Sequence, residues 1–295
     1  MNSIEIDTLK KAGNIAKQTV AYAKSLVKKG MPLLEIAEKI EDKIRELGGK
    51  PAFPVNLSIN EIAAHSTPTW NDTLVASGLL KVDIGVHIDG WVADTAITLD
   101  LENSEENKKL IEAAEKALKE AVELVHLNIQ LKDIGEAIEN KIKSFKFLPV
   151  QNLSGHSIEQ WNLHAGITVP NFGNSQNKIL ESGVYAIEPF STNGFGAVRD
   201  GKKSGIYSIQ KKGNVRDPFA RKVLEFIDEE YRTLPFCSRW LHKKFGSRAL
   251  LALQRLEEAG LLHHYAQLIE INKGKVAQAE HTIIITEKET IVTTE

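Results

Sequence analysis

Leu34-Glu35-Ile36-Ala37-Glu38-Lys39-Ile40-Glu41-Asp42-Lys43-Ile44 is matched by Lys132-Asp133-Ile134-Gly135-Glu136-Ala137-Ile138-Glu139-Asn140-Lys141-Ile142. The two stretches agree in register at Ile, Glu, Ile, Glu, Lys and Ile, with the isoleucines four apart, as on one face of a helix. Each has a second amphipathic helix before it. Leu9, Ile15, Val20, Ala23 and Leu26 mark one over 3–29, and its counterpart lies near 105–126. Gly48-Gly49 ends the first repeated helix, over 33–48, and the second copy spans 131–146. Beyond each comes a β-type segment, Val55-Asn56-Leu57-Ser58 and its echo Val150-Gln151-Asn152-Leu153-Ser154.

Any amphipathic helix is rich in Ile, Glu and Lys, so chance explains part of this match. Two consecutive elements repeated in order favour a duplicated helix–helix–strand unit. Two such halves about a pseudo-dyad share a curved sheet with helices outside, an α/β (α+β) arrangement with its site in the cleft between them.

With 295 residues, 42% apolar and 26% charged, the chain can bury a sizeable core. No run approaches bilayer-spanning length and residues 1–10 lack a signal peptide's apolar core, so a cytoplasmic protein without membrane contact is expected. The single cysteine, Cys237, excludes an internal disulfide and a thiolate cluster, and it is expected in the core. Any metal must therefore be held by carboxylates and imidazoles. A net charge of −2 gives no global pull toward nucleic acid.

Residues 81–98 alternate at period two around Asp89-Gly90, a favoured type I′ pair, and predict a hairpin. A two-residue loop there sets Ile88 opposite Trp91, Asp83 opposite Ala96 and Asp94 opposite Gly85. Val82, Ile84, Val86, Ile88, Trp91, Ala93 and Ile97 then form the core face. Asp83 and Asp94 are diagonal neighbours on the other, with only glycine and alanine across from them. On the hairpin alone, two aspartates facing water is the stronger reading.

Later segments repeat the puzzle. Gly155-His156 and His164-Ala165-Gly166 put imidazoles beside glycines. Glu188 and Glu280 each fall inside an apolar strand pattern, Val184–Phe190 and Val276–Ile285, where a carboxylate needs a partner. Asp83, Asp94, His156, Glu188 and Glu280 together offer four negative charges and one neutral nitrogen. That set matches two divalent cations bridged by a water or hydroxide, with Mn, Co, Fe or Zn suited to it. His87, His242, His263, His264 and His281 read as surface or supporting groups.

Lys81-Val82-Asp83-Ile84-Gly85-Val86 with Asp94, Gly155-His156, His164-Ala165-Gly166, Ile187-Glu188-Pro189-Phe190 and Gln278-Ala279-Glu280-His281-Thr282 resemble the methionine aminopeptidases, in order and over nearly the whole chain. The resemblance implies the pita-bread fold, two pseudo-symmetric helix-helix-strand halves around a curved antiparallel sheet. It implies Asp83 as a chelating ligand of one metal, Asp94 and Glu280 as bridges, and His156 and Glu188 as ligands of the other. His65 and His164 would flank the scissile amide, Phe53 and Phe190 would line the methionine pocket, and Glu188 would serve as base. The implied activity is removal of the initiator methionine from nascent polypeptides by attack of a metal-bridging water.

Only about 50 residues of helix precede the first strand, unlike prolidases, which carry a whole N-terminal domain. Glu188 and Glu280 lie 92 positions apart (280 − 188), a separation that resembles the type II branch in its short archaeal form. The insertion is expected to be a helical subdomain over 196–270, with helices from Asp217-Pro218 to Arg232, from Ser238 to Phe245 and from Ser247 to Ala259. The catalytic body is then 1–195 with 271–295. Residues 199–250 hold 13 Lys/Arg against 6 Asp/Glu, which raises weak ribosome contact beside the plainer reading of a solvated basic surface. A monomer is expected. The rival readings are a non-catalytic pita-bread protein bound to ribosome or RNA and a prolidase-like dipeptidase.

Overall fold

The structure is a computed structural model that describes residues 2–175 and 177–295. Among the described residues the helices are α1 (Ser3–Leu26), α2 (Leu33–Glu46), α3 (Glu105–Leu124), α4 (Leu131–Ser144), α5 (Pro218–Glu230), α6 (Ser238–Phe245) and α7 (Arg248–Glu258). Local chemistry explains where they start. Asn2 and Glu5 form a reciprocal capping box at α1. Asp217 caps α5 through the Ala220 N–H at 2.8 Å, with Pro218 in the first turn.

The repeat seen in the sequence is a repeat in space. Ile36, Ile40 and Ile44 of α2 and Ile134, Ile138 and Ile142 of α4 are all fully buried, each set in the core of its own half. Burial of each such side chain is worth about 2 kcal/mol. The paired glutamates differ. Glu139 lies near the surface beside Lys143, whereas Glu41 is 1% exposed and holds Arg239 of α6 through two bonds of 2.8 and 2.7 Å. The Trp240 indole N–H also donates to Glu41, at 2.7 Å. Removing one partner of a buried pair strands the other charge. Arg239→Ala is therefore expected to cost about 3–5 kcal/mol, read as a lower urea midpoint at unchanged slope. A loss below about 1 kcal/mol would mean that water reaches Glu41.

All strand pairings are antiparallel. The first half carries the hairpin Leu79–Ile88/Trp91–Asp100, flanked by Lys50–Pro51 and Asn56–Ile59. Its register is the expected one: Asp83 opposite Ala96, Gly85 opposite Asp94, Ile88 opposite Trp91. Trp91 is half-buried in a different cluster from Val82, Ile84, Val86 and Ala93, so the hairpin's core face is shared between two packing groups. The second half orders Thr290–Val292, His281–Ile285, Gly183–Ile187, Ser154–Ile158 and Thr168–Pro170 side by side. The halves meet where Ala96 bridges Glu280. This is the curled antiparallel sheet of the pita-bread fold.

Three expectations need correction. Residues 150–153 form a turn, not a strand, because the Asn152 amide bonds the Val198 backbone twice, at 2.7 and 2.8 Å, and the strand begins at Ser154. The segment 196–270 is less helical than expected, since two long strands, Val198–Ile209 and Leu262–Glu270, frame its helices and the second also pairs with Ile62–Ala64. The expected strands Val184–Phe190 and Val276–Ile285 both break, at Glu188-Pro189 and at Ala279-Glu280. Proline cannot donate to a ladder, and the Glu280 N–H is diverted to the Ala96 carbonyl at 3.1 Å. Cys237 is fully buried, and burial pushes its thiol up to about 12.

Candidate metal centre

The two strand breaks and the hairpin aim acids at one place. Asp83 and Asp94 come from the two arms of the hairpin, Glu188 and Glu280 from the interrupted strands of the second half, and His156 from Ser154–Ile158. His156 Nε2 stands 3.7 Å from Asp94 Oδ2 and 3.8 Å from Glu188 Oε1. Ligand atoms of Asp94, His156 and Glu280 all fall within 4.8 Å of one another. The separations of 3.7 and 3.8 Å are too long for hydrogen bonds, yet they lie within the about 4.2 Å that two atoms each about 2.1 Å from one ion can span.

The electrostatics point the same way. Burial raises the Asp83 carboxyl to about 7. Asp94, Glu188 and Glu280 are pushed well above the carboxylate range by burial first and by each other's charges second. Among the described residues that line the cavity there is no lysine or arginine to offset them. Asp83 Oδ1, Asp94 Oδ1 and His156 Nδ1 are buried without a hydrogen-bond partner. Burial, helped by nearby His164, lowers His156 to about 3, so its ring is neutral with a lone pair to give. Four crowded acids shielded from water, an unprotonated imidazole and orphaned oxygens fit divalent cations of the Co, Mn, Fe or Zn type.

Above this cluster opens a cavity of about 310 Å³. All nine residues singled out from the sequence line it: Phe53, His65, Asp83, Asp94, His156, His164, Glu188, Phe190 and Glu280. Phe53 and Phe190 are buried walls at 5% and 1% exposure, and Gly85 lies so close to the Phe53 ring that a side chain there would collide with it. His164 meets the His156 ring edge-on at 4.4 Å. Its loop is tied down by Trp161, whose backbone N–H donates to Gly90 O of the hairpin turn at 2.8 Å. His65 sits in the left-handed region at φ 57°, a strained conformation for a non-glycine residue, with Tyr265 edge-on at 5.3 Å. Burial lowers His65 to about 4 and also depresses His164.

The sequence reading missed Tyr265, Ile206 and Pro235, which reach the cavity from the segment between Glu188 and Glu280. Nothing local marks them: Ile206 and Tyr265 lie in strands placed by pairing with distant segments, and Pro235 lies in a connection beside Phe236, which pairs with Tyr207. It also missed Asn171, fully buried, whose amide donates to Leu153 O at 3.0 Å and Glu188 O at 3.1 Å. His87, read as a surface or supporting group, is buried and accepts the Gly90 N–H at the hairpin turn.

A model of metallopeptidase family M24 matches residues 7–287. Methionine aminopeptidase of Pyrococcus abyssi is 48% identical over 297 residues, covering 99% of this chain and 100% of that one. The Methanocaldococcus jannaschii methionine aminopeptidase is 45% identical, covering 96% of each. Among solved structures, methionine aminopeptidase from Thermotoga maritima superposes with a TM-score of 0.72 at 20% identity, covering 100% of this chain and 98% of that one. A Pyrococcus furiosus prolidase gives 0.65 at 18% identity, this chain covering 64% of it. Distant structures share the fold, whereas these two archaeal relatives are identical to the chain at nearly half of their aligned positions: the chain belongs to metallopeptidase family M24 and, within it, to the methionine aminopeptidases.

Proposed function

We propose that the chain is a metal-dependent hydrolase that removes the initiator methionine from nascent polypeptides, with Asp83, Asp94, His156, Glu188 and Glu280 as its metal ligands. The observation that carries this reading is the crowding of four acids, Asp94 and Glu280 buried and Asp83 and Glu188 half-buried, with a neutral histidine at the floor of a cavity walled by phenylalanines. Asp83 would hold one cation, Asp94 and Glu280 would be shared, and His156 and Glu188 would hold the other. Bound divalent cations supply a polarised scissile carbonyl and a water acidic enough to attack near neutrality.

The residues supply the rest. Glu188 takes the proton of the attacking water on a carboxylate oxygen and returns it to the leaving amine. The neutral His164 ring donates an N–H to the oxygen that gains charge, and His65 holds the substrate amide. Phe53 and Phe190 give the unbranched thioether an apolar slot, which suits methionine better than a charged or β-branched residue. The lower identity to prolidase, and the retention of each expected ligand, argue against the dipeptidase and the non-catalytic binding protein.

Metal-stripped protein, reloaded in turn with Mn, Co, Fe and Zn, tests this on Met-Ala-Ser and Met-Leu-Ser. The expected result is free methionine from Met-Ala-Ser at about tenfold or more the rate from Met-Leu-Ser, with activity only in reloaded samples. Release of Met-Ala with free serine, or activity in the stripped enzyme, would sink the reading.

Residues 196–270 form an insertion subdomain on a catalytic body of 1–195 and 271–295. A core of its own supports this, built from residues such as Val223, Ile227, Phe236, Leu241, Leu253 and Leu256. Lys202, Lys203, Lys211, Lys212, Lys243 and Lys244 of this segment are all exposed, and they would give a cytoplasmic monomer weak, salt-sensitive contact with ribosomal RNA. Lys243→Glu with Lys244→Glu should weaken ribosome co-sedimentation, as should added salt. Unchanged co-sedimentation of the double variant would dismiss the contact. No helix among the described residues is long and apolar enough to cross a membrane.

A further inference from the structure

Two chain segments, one from each half, face each other along the midline at Asp94–Thr98 and Gln278–Thr282. They run antiparallel, and at Ala96 the ladder is direct, with Glu280 N donating to Ala96 O at 3.1 Å. Two residues to either side, side-chain hydroxyls stand in for the ladder. Asp94 N donates to Thr282 Oγ1 at 2.7 Å, and the same hydroxyl donates to Asp94 O at 2.8 Å. At the other end Gln278 N donates to Thr98 Oγ1 at 2.8 Å, and that hydroxyl donates to Gln278 O at 2.7 Å. These two threonines, one from each half, are related two-fold about the Ala96–Glu280 bridge, and beside the bridge the Thr95 hydroxyl adds an unmatched bond to Glu280 O at 2.8 Å.

A hydroxyl can do this because it carries one donor and two acceptor sites on one atom. It spans a gap that backbone groups alone would leave unsatisfied. Thr282 is itself fixed. It is fully buried, its N–H donates to Thr294 Oγ1 at 3.2 Å, and its carbonyl accepts from Thr293 N at 2.9 Å and Thr293 Oγ1 at 3.0 Å. The residue it grips is an acid of the cluster, whereas Thr98 grips Gln278, whose amide reaches Glu188 and Glu280 only at 3.4 Å.

We propose that Thr282 is a positioning residue of the metal centre: its hydroxyl, held between the N–H and C=O of Asp94, sets that carboxylate against Glu280 and so tunes metal affinity. The inference rests on the ligand assignment of Asp94 and Glu280 proposed above. Residues that orient ligands without touching the ion commonly change metal affinity by about 10–100-fold when replaced.

Co(II) titration of metal-stripped protein, followed by calorimetry and by the visible absorbance of the bound ion, tests it alongside the melting temperature of each metal-free variant. Thr282→Val keeps the shape and loses the hydroxyl. It should weaken the first Co(II) by about 10–100-fold, while Thr282→Ser, which restores the hydroxyl, stays within about threefold of the parent. Thr98→Val loses the same pair of bonds and should lower the melting temperature comparably, with Co(II) affinity again within about threefold of the parent. If Thr282→Val does not fold, Thr282→Ala, which crowds nothing, replaces it. Parental Co(II) affinity in a destabilised Thr282→Val would overturn the inference, as would equal affinity losses in the Thr98 and Thr282 variants. Asp94→Asn separates the two levels. Parental affinity there removes the ligand assignment itself, and lost affinity there with parental affinity in Thr282→Val removes only the role of the hydroxyl.

Discussion

Glu188→Gln is expected to lower kcat by about 10³-fold, roughly 4 kcal/mol of barrier, while a competitive inhibitor binds within about threefold of its parental affinity. Glutamine keeps the shape of the side chain and one oxygen able to face a cation, but its amide cannot accept a proton. The backbone holding it does not depend on the carboxylate, because the Asn171 amide grips the Glu188 carbonyl at 3.1 Å and the Ile187 side of the break is a paired strand. Metal content measured on the same sample keeps the comparison fair. Equal losses in kcat and in inhibitor binding would show that Glu188 serves binding only, and the base would have to be sought elsewhere in the cavity.

Much of this centre could be read before any coordinates. The Asp89-Gly90 turn fixes the register of the hairpin, because a two-residue loop leaves one pairing, and a slip of one residue would turn Val82, Ile84 and Val86 to the wrong face. The repeated isoleucines fix the helix faces of α2 and α4 in the same way. What could not be read depends on contacts remote in sequence. The bends at Glu188 and Glu280 fall in apolar runs that look like unbroken strands; Pro189 marks the first locally, but the contacts that hold the two bends, the Asn171 amide and the Ala96 carbonyl, come from other elements. Thr98 and Thr282 pass for ordinary strand residues, since nothing nearby reveals that their hydroxyls join the halves. Glu41 and Glu139 occupy matched places in the repeat, yet only Glu41 is buried, because its partner Arg239 lies 198 positions away.

Metal-free protein is expected to lose stability as pH rises from about 6.5 to about 8.5, its melting temperature falling by on the order of 10 °C, and Mn or Co is expected to reverse that slope. A buried carboxyl with a raised pKa holds its proton in the folded state at pH values where the unfolded chain has released it. The folded state then carries the extra proton, and stability falls as pH climbs through that window. For Asp83 the window runs from 3.8 to about 7, and for Asp94, Glu188 and Glu280 burial and mutual repulsion push the upper limit in the same direction. Below pH 6.5 the buried histidines oppose this, because His156 and His65, lowered to about 3 and about 4, stay neutral where unfolded imidazoles take up protons. Above pH 6.5 that opposition ends. Lys81, whose pKa burial lowers, works the other way, against Asp83 up to about 7 and the three more strongly raised acids. Divalent cations bind the deprotonated acids, so their affinity rises with pH and their stabilising effect grows where the stripped protein weakens. Urea denaturation at both pH values, with and without metal, measures this. A stripped protein equally stable at both would mean that the four acids keep their charges apart without help, and the need for cations at this site would vanish with the repulsion.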